Sequence, residues 1–241
     1  TATVLSAANE IYPIAFAITK DNENTVGWTY FLDNIKLNCP ILTKERCNKF
    51  KLFSFISDRD KGLVISVKDL FPNNLHSNCL FHISKNVQLN CKKVPWRLIF
   101  NIGKSFNLRN EILGFEELNK LSSEAVEYCL NIDPKLWRCT EWTRNLSLPP
   151  RYGMYTSNIS ESTNSMLEDT RDVPWLYTID SILNIMTHRH DQLFNKYRDY
   201  QDSNEIVPEV QAHMKNLYDA SGNFEVLQIN AFTGEYKINR T

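Results

Sequence analysis

Residues 51–72 read KLFSFISDRDKGLVISVKDLFP. The first seven alternate and carry two Phe, the pattern of a strand, which runs straight into Asp58. The last twelve, KGLVISVKDLFP, read as a helix that Phe71-Pro72 ends. A carboxylate where a strand stops is free of the sheet and points off its edge. In open α/β sheets that edge is where ligands and metals are met. A plainer role competes with this one: Asp58 or Asp60 is also placed to cap the helix that begins at Lys61. The spacing alone leaves both readings open.

Upstream, residues 2–8 and 11–19 are short apolar runs separated by Asn9-Glu10, and read as a hairpin with Ile14–Ile18 a continuous buried-type strand. Residues 24–38 place Trp28, Phe31, Leu32 and Ile35 at helical spacing. Downstream, LHSNCLFHI is a short segment before a polar helix start at Ser84. Residues 95–150 lack clean strands and read as helices, closed by Pro149-Pro150. Residues 158–169 and 174–198 are further helices, with Pro174 at a helix start, and a shorter one lies around 207–219. The tail FEVLQINAFTGEYKINR reads as two strands around Thr233-Gly234. The order is an α/β core interrupted by an α-helical insertion and followed by a C-terminal β-hairpin.

Of 241 residues, 42% are hydrophobic and 12% aromatic, which suffices for a substantial core. The net charge of −1 excludes a globally basic nucleic-acid binder but leaves room for a local patch. No apolar run approaches the roughly 18–20 residues that span a bilayer, so no membrane role is expected. The first residues, TATVLSAANEIYPIAFAIT, have no basic start and read as a strand pair, not a signal peptide. The six Cys, at 39, 47, 79, 91, 129 and 139, form no CxxC and read as thiols in a reducing compartment. The sequons at Asn145, Asn158 and Asn239 matter only in a secreted protein.

Glu161 is the one acidic side chain in TSNISESTNS (156–165). With Asn158 at N-cap it fits a capping box. Glu161, Asn164 and Glu168 also share one helix face, as a cleft wall requires. In HSNCLFH, His76, Cys79 and His82 have spacing that suits zinc, yet a closed zinc site needs four ligands and these are three. His188-Arg189-His190 reads as helix surface.

Three blocks, in order, resemble the Mutator-like (MULE) transposase domain. EIYPIAFAITKDNENTVGWTYFLDNI resembles its proline-led strand, acidic-Asn segment and Trp-containing helix. FISDRDKGLVISVKDLFPNNLHSNCLFHISKN resembles the next block, with an Asp after a strand, Lys-Gly-Leu, Phe-Pro and Cys-x-x-His. RYGMYTSNISESTNSML resembles the third, ending in Glu-Ser-x-Asn. The resemblance implies an RNase H-like core of the DDE type over residues 1–94, the helical insertion over 95–150 before the final catalytic helix, and closing core helices over 151–200. Residues 201–241 resemble a linker and the start of a SWIM-type zinc module without its ligands. By position Asp58 and Glu161 match two of the family's three catalytic carboxylates and are expected to hold Mg²⁺ or Mn²⁺. Such hard cations take oxygen donors, and a pair of them supports phosphoryl transfer. Cys79 and His82 match the Cys-x-x-His, with a structural role or zinc.

The implied partners are DNA, both transposon ends and target, and a second copy of the chain in a homo-oligomer; the implied compartment is the nucleus. Arg59, Lys61, Arg151 and Arg171 lie beside the two carboxylates in sequence and are the DNA-contacting candidates. The family's first Asp lies upstream of the apolar pair, and no acidic residue precedes Glu10 here. The 241-residue chain is therefore expected to be inactive in strand transfer. A transposase-derived DNA-binding transcription regulator without catalysis is the alternative function.

Overall fold

Asn9 turns the chain near its start. Its φ of 60° is a conformation that Asn tolerates better than most residues. The Asn9 amide donates to the Ser6 carbonyl and the Ser6 amide to that of Glu10, each at 2.9 Å. The turn pairs β1 (Ala2–Leu5) with β2 (Ile11–Ala15). The structure, a computed structural model, describes residues 1–6, 8–19, 23–39, 53–144, 151, 153–170, 172–200, 205–230 and 235–240. Within these the expected strand over 11–19 is shorter: it ends at Ala15, and Ile18 is 56% exposed. Continuous apolar character there does not mean burial.

α1 (Thr25–Asn38) begins at Asn24, whose side chain accepts from the Gly27 amide, and buries Phe31, Leu32 and Ile35. β3 (Ser54–Ser57) leads to α2 (Lys61–Leu70) and then to β4 (Leu75–Asn78). β3 and β4 run parallel, in register from Ser54↔Leu75 to Ser57↔Asn78. Parallel neighbours need a crossover, and α2 supplies it. Leu32, Leu63, Val67 and Phe71 form the small core under this unit, with Phe53 and Phe55 against it. α1 meets α2 at Gly62, where a Cβ would stand 2.7 Å from the Thr25 backbone nitrogen. The Lys-Gly-Leu motif thus holds a glycine because two helices touch there.

The helix expected from Ser84 starts four residues earlier, as α3 (Leu80–Asn90). A strand, β4, occupies what the sequence showed only as a short segment. α4 (Trp96–Lys104), α5 (Leu108–Leu121), α6 (Ser123–Leu130), a 3-10 turn (Pro134–Leu136) and α7 (Cys139–Arg144) follow. Within the described residues the block from 95 onward is helical, as expected. Leu80, Ile83, Ile99, Ile102, Leu118 and Trp137, all at most 1% exposed, form its core. Burying a side chain of this kind contributes about 1.5–3 kcal/mol. Glu111 is buried in the same block, where it accepts from Arg138 at 2.9 Å and from the Thr140 hydroxyl. α8 (Asn158–Met166) follows.

Contacts divide the chain into two units, residues 1–2 with 14–164, and residues 3–13 with 165–241. The second contains α9 (Trp175–Tyr197), α10 (Pro208–Ser221), and the antiparallel pair β5 (Phe224–Asn230) and β6 (Glu235–Arg240). The proline and tail-strand expectations hold: Pro174 sits at the N-cap of α9, and the tail forms two strands. Their connection at Thr233-Gly234 lies outside the described residues. Glu10 accepts from Arg189 at 2.8 Å and from Lys196 at 2.6 Å, and Lys196 also reaches Glu209 at 2.8 Å. Arg189, one of the three residues read as helix surface, is thereby occupied by the hairpin. The class is mixed α/β and mainly helical, and the described strands form three two-stranded sheets.

Candidate carboxylate site

Three segments join where β3 and β4 end. The Ser57 carbonyl accepts from the Cys79 amide at 2.6 Å, and the Tyr155 carbonyl accepts from the Leu80 amide at 2.8 Å. These contacts satisfy donors that the first turn of α3 leaves without helical partners. The Ser157 amide in turn donates to Cys79 Sγ at 3.3 Å. Hydrogen bonds therefore run from the residue before Asp58 to the residue four before Glu161.

Asp58 is exposed at the tip of β3. The choice of cap is resolved: Asp60 takes it, its Oδ1 accepting from the Leu63 amide at 2.9 Å. Asp58 Oδ1 has only a long contact, 3.4 Å, from the Asp60 amide. The turn thus holds one carboxylate for the helix and leaves the other to solvent. Beside it, His76 Nε2 lies 2.7 Å from Ser57 Oγ. Burial pulls the His76 imidazole down to about 4, against the opposing charge of Asp58, so it is neutral at pH 7.

The capping box expected at Glu161 does not form. Asn158 is already helical, and the carbonyl of Ser157 accepts from the Ser160 and Glu161 amides. The Glu161 amide that the box would need is thus spent on the Ser157 carbonyl, one residue earlier. Glu161 Oε1 accepts from Ser157 Oγ at 3.3 Å and lies 3.9 Å from His82 Nε2. Both side chains are substantially exposed, at 45% and 39%, so this contact is weak. His82 Nδ1 is buried and has no hydrogen-bond partner. α8 ends at Met166, so Glu168 leaves the helical face that it was expected to share with Glu161 and Asn164.

Among the described residues no three His, Cys, Asp or Glu side chains gather as a metal-holding group. Mg²⁺ and Mn²⁺ need fewer from the protein, because one or two carboxylates with waters and phosphate oxygens complete their shell. Asp58 and Glu161, both exposed and neither serving as a helix cap, fit that donor chemistry. Zinc requires four protein ligands in a closed site, and Cys79 and His82 do not supply them; Cys79 is 1% exposed and receives the Ser157 amide.

The four expected cations diverge. Lys61 is exposed at the first turn of α2. Arg59 donates to the Tyr128 hydroxyl and lies 5.3 Å from that ring's centroid. Arg151 is 6% exposed and stacks on Trp142 at 3.5 Å, and burial lowers its guanidinium to about 10. Arg171 lies outside the described residues, as do Cys47 and the Asn145 sequon. The described cysteines are free thiols, three of them buried. Sequence reasoning missed the His76–Ser57 pair and the Tyr155–Leu80 joint. The first is visible only once strand register is known, and the second involves backbone alone.

Residues 1–86 match the model of one protein family, the MULE transposase domain. The match includes Asp58, Cys79 and His82, and stops before Glu161. No curated protein matches the chain, and no solved structure does. No helix among the described residues is long and apolar enough to cross a membrane.

Proposed function

We propose that this chain is part of a MULE-type DNA transposase, with Asp58 and Glu161 as the acidic edge that faces the DNA phosphate. The observation that carries the reading is the hydrogen-bonded joint Ser57–Cys79–Ser157, which draws the strand tip of Asp58 and the helix start of Glu161 to one structure. The parallel β3–α2–β4 unit supports an RNase H-like core, because it presents Asp58 at a strand's C-terminal end. When bound, Mg²⁺ or Mn²⁺ would polarise the phosphate and lower the pKa of the attacking water or hydroxyl. The chain's part is to fix the carboxylates: Asp60 holds the turn behind Asp58, and Ser157 orients Glu161. Neutral His76 beside the strand tip adds no positive charge to repel a cation. Lys61, exposed next to this edge, is the cation best placed for a DNA phosphate.

Mn²⁺ titration followed by electron paramagnetic resonance tests the reading. Bound Mn²⁺ is expected to fall in Asp58→Asn and in Glu161→Gln alike, with unchanged thermal unfolding. Full retention of bound ion in either variant would show that the two carboxylates share no site.

A further inference from the structure

A chain of net charge −1 contains one long stretch without a single acidic residue. Between Asp69 and Glu111 there is no Asp or Glu, while Lys85, Lys92, Lys93, Arg97, Lys104 and Arg109 all fall there. The stretch folds as β4, α3, α4 and the entry to α5. Among the described residues none of these six cations forms an ion pair. Their charge is not neutralised by a carboxylate of the described residues, although Lys104 lies over the Tyr155 ring.

Two of them flank an aromatic cluster. Trp96, the first residue of α4, meets Phe81 of α3 at 6.0 Å and Phe100 at 5.8 Å, both edge-on. Lys85 Nζ lies 5.5 Å from the Phe81 ring centre and 6.0 Å from that of Trp96, and the Arg97 guanidinium lies 5.7 Å from Trp96. Trp96 is half-buried and Arg97 exposed, so ring and charge both reach solvent. Phe81 also meets the His82 ring edge-on at 5.9 Å, and His82 lies 3.9 Å from Glu161. The cluster is therefore continuous with the carboxylate edge.

We propose that this α3–α4 face is a platform for an unpaired DNA strand, with a base stacked on Trp96 and flanking phosphates drawn to Lys85 and Arg97. Aromatic rings beside unpaired cations are what a single strand requires: every base has a face to stack, and every linkage carries a negative charge. A duplex hides its bases and gains only the charge. Resting on the DNA reading above, the platform adds where a strand separated from its complement lies relative to Glu161. Lys85 and Arg97 carry their charges on flexible stems, so they can leave the rings for phosphate when a base arrives.

The test is fluorescence polarisation of the 241-residue chain with an oligothymidine strand and with the A·T duplex of equal length. Trp96→Ala is expected to weaken single-strand binding about ten-fold and duplex binding less than about two-fold. Trp96→Phe is expected to retain most of the affinity, which separates stacking from loss of fold. The double variant Lys85→Ala, Arg97→Ala, on the surface, is expected to weaken binding to both probes and to lower the single-strand salt slope by about 1.4, at about 0.7 for each contact. Equal single-strand affinity of Trp96→Ala and the unaltered chain overturns the platform while leaving the DNA reading intact. Failure of the unaltered chain to bind either probe overturns both.

Discussion

Two aspartates, two residues apart, do different work, and substitution separates them. Asp60 accepts from the Leu63 amide, and Asp58 has no comparable contact. Asp60→Ala is expected to cost about 1 kcal/mol, the usual loss for an N-cap. Asp58→Ala, at an exposed position, is expected to stay within about 0.5 kcal/mol. Urea unfolding of both variants checks this; equal losses would return Asp58 to a structural role. Gly62 gives a second measure at this scale. A Cβ there would meet backbone, Thr25 N at 2.7 Å and Asn24 C at 2.8 Å, which cannot rotate away. Gly62→Ala is expected to destabilise by about 1–3 kcal/mol, as overpacking does, visible as a lowered urea midpoint with α1 and α2 forced apart. At this scale the sequence was informative about residue type and silent about choice. It offered Asp58 and Asp60 as equal caps, and only the hydrogen bond from the Leu63 amide to Asp60 tells them apart.

Helix boundaries belong to the next scale. α3 begins at Leu80 although the polar start signal lies at Ser84, because Tyr155 and Ser57, distant in sequence, supply acceptors to its first turn. Local cap signals lose where a long-range hydrogen bond is available. The capping box at Asn158 fails because the Glu161 amide already donates to the Ser157 carbonyl. The helical block from α4 to α7 packs closely: a Cβ on Gly103 would stand 2.4 Å from Leu80 Cδ1 and 3.0 Å from Trp137 Cε3. Its charged tie is Glu111 with Arg138, both nearly buried at 5% and 14% side-chain exposure. Glu111→Ala is expected to cost about 3–5 kcal/mol, because it strands a buried guanidinium. Calorimetry reads this as a clear drop in Tm; an unchanged Tm would mean that Arg138 finds water instead. The pairing was not legible in the sequence, where Glu111 and Arg138 are 27 residues apart on different elements.

For the whole molecule, the pH response is set partly by His76. Its folded-state value of about 4 lies below the ordinary 6.5. The unfolded chain therefore binds the proton first as pH falls. The contribution of neutral His76 is complete above about pH 6.5 and is lost progressively toward pH 4, at most ~3 kcal/mol. Urea midpoints at pH 7 and pH 5 are expected to differ, and His76→Gln is expected to narrow the difference. What the sequence determined by itself was the order of most elements, the α/β class and the identity of the acidic candidates. Periodicity, prolines and turn residues act over a few positions, and chain chemistry alone expresses them. What only the tertiary structure decided was which carboxylate is free, that β4 exists as a partner for β3, that Arg151 is buried on Trp142, and that Ser157 lies against Cys79. The β3–β4 pairing and the Ser157–Cys79 contact join residues tens of positions apart. No spacing rule reaches that far, because closing such loops is decided by packing of the whole core, not by the residues that end up touching.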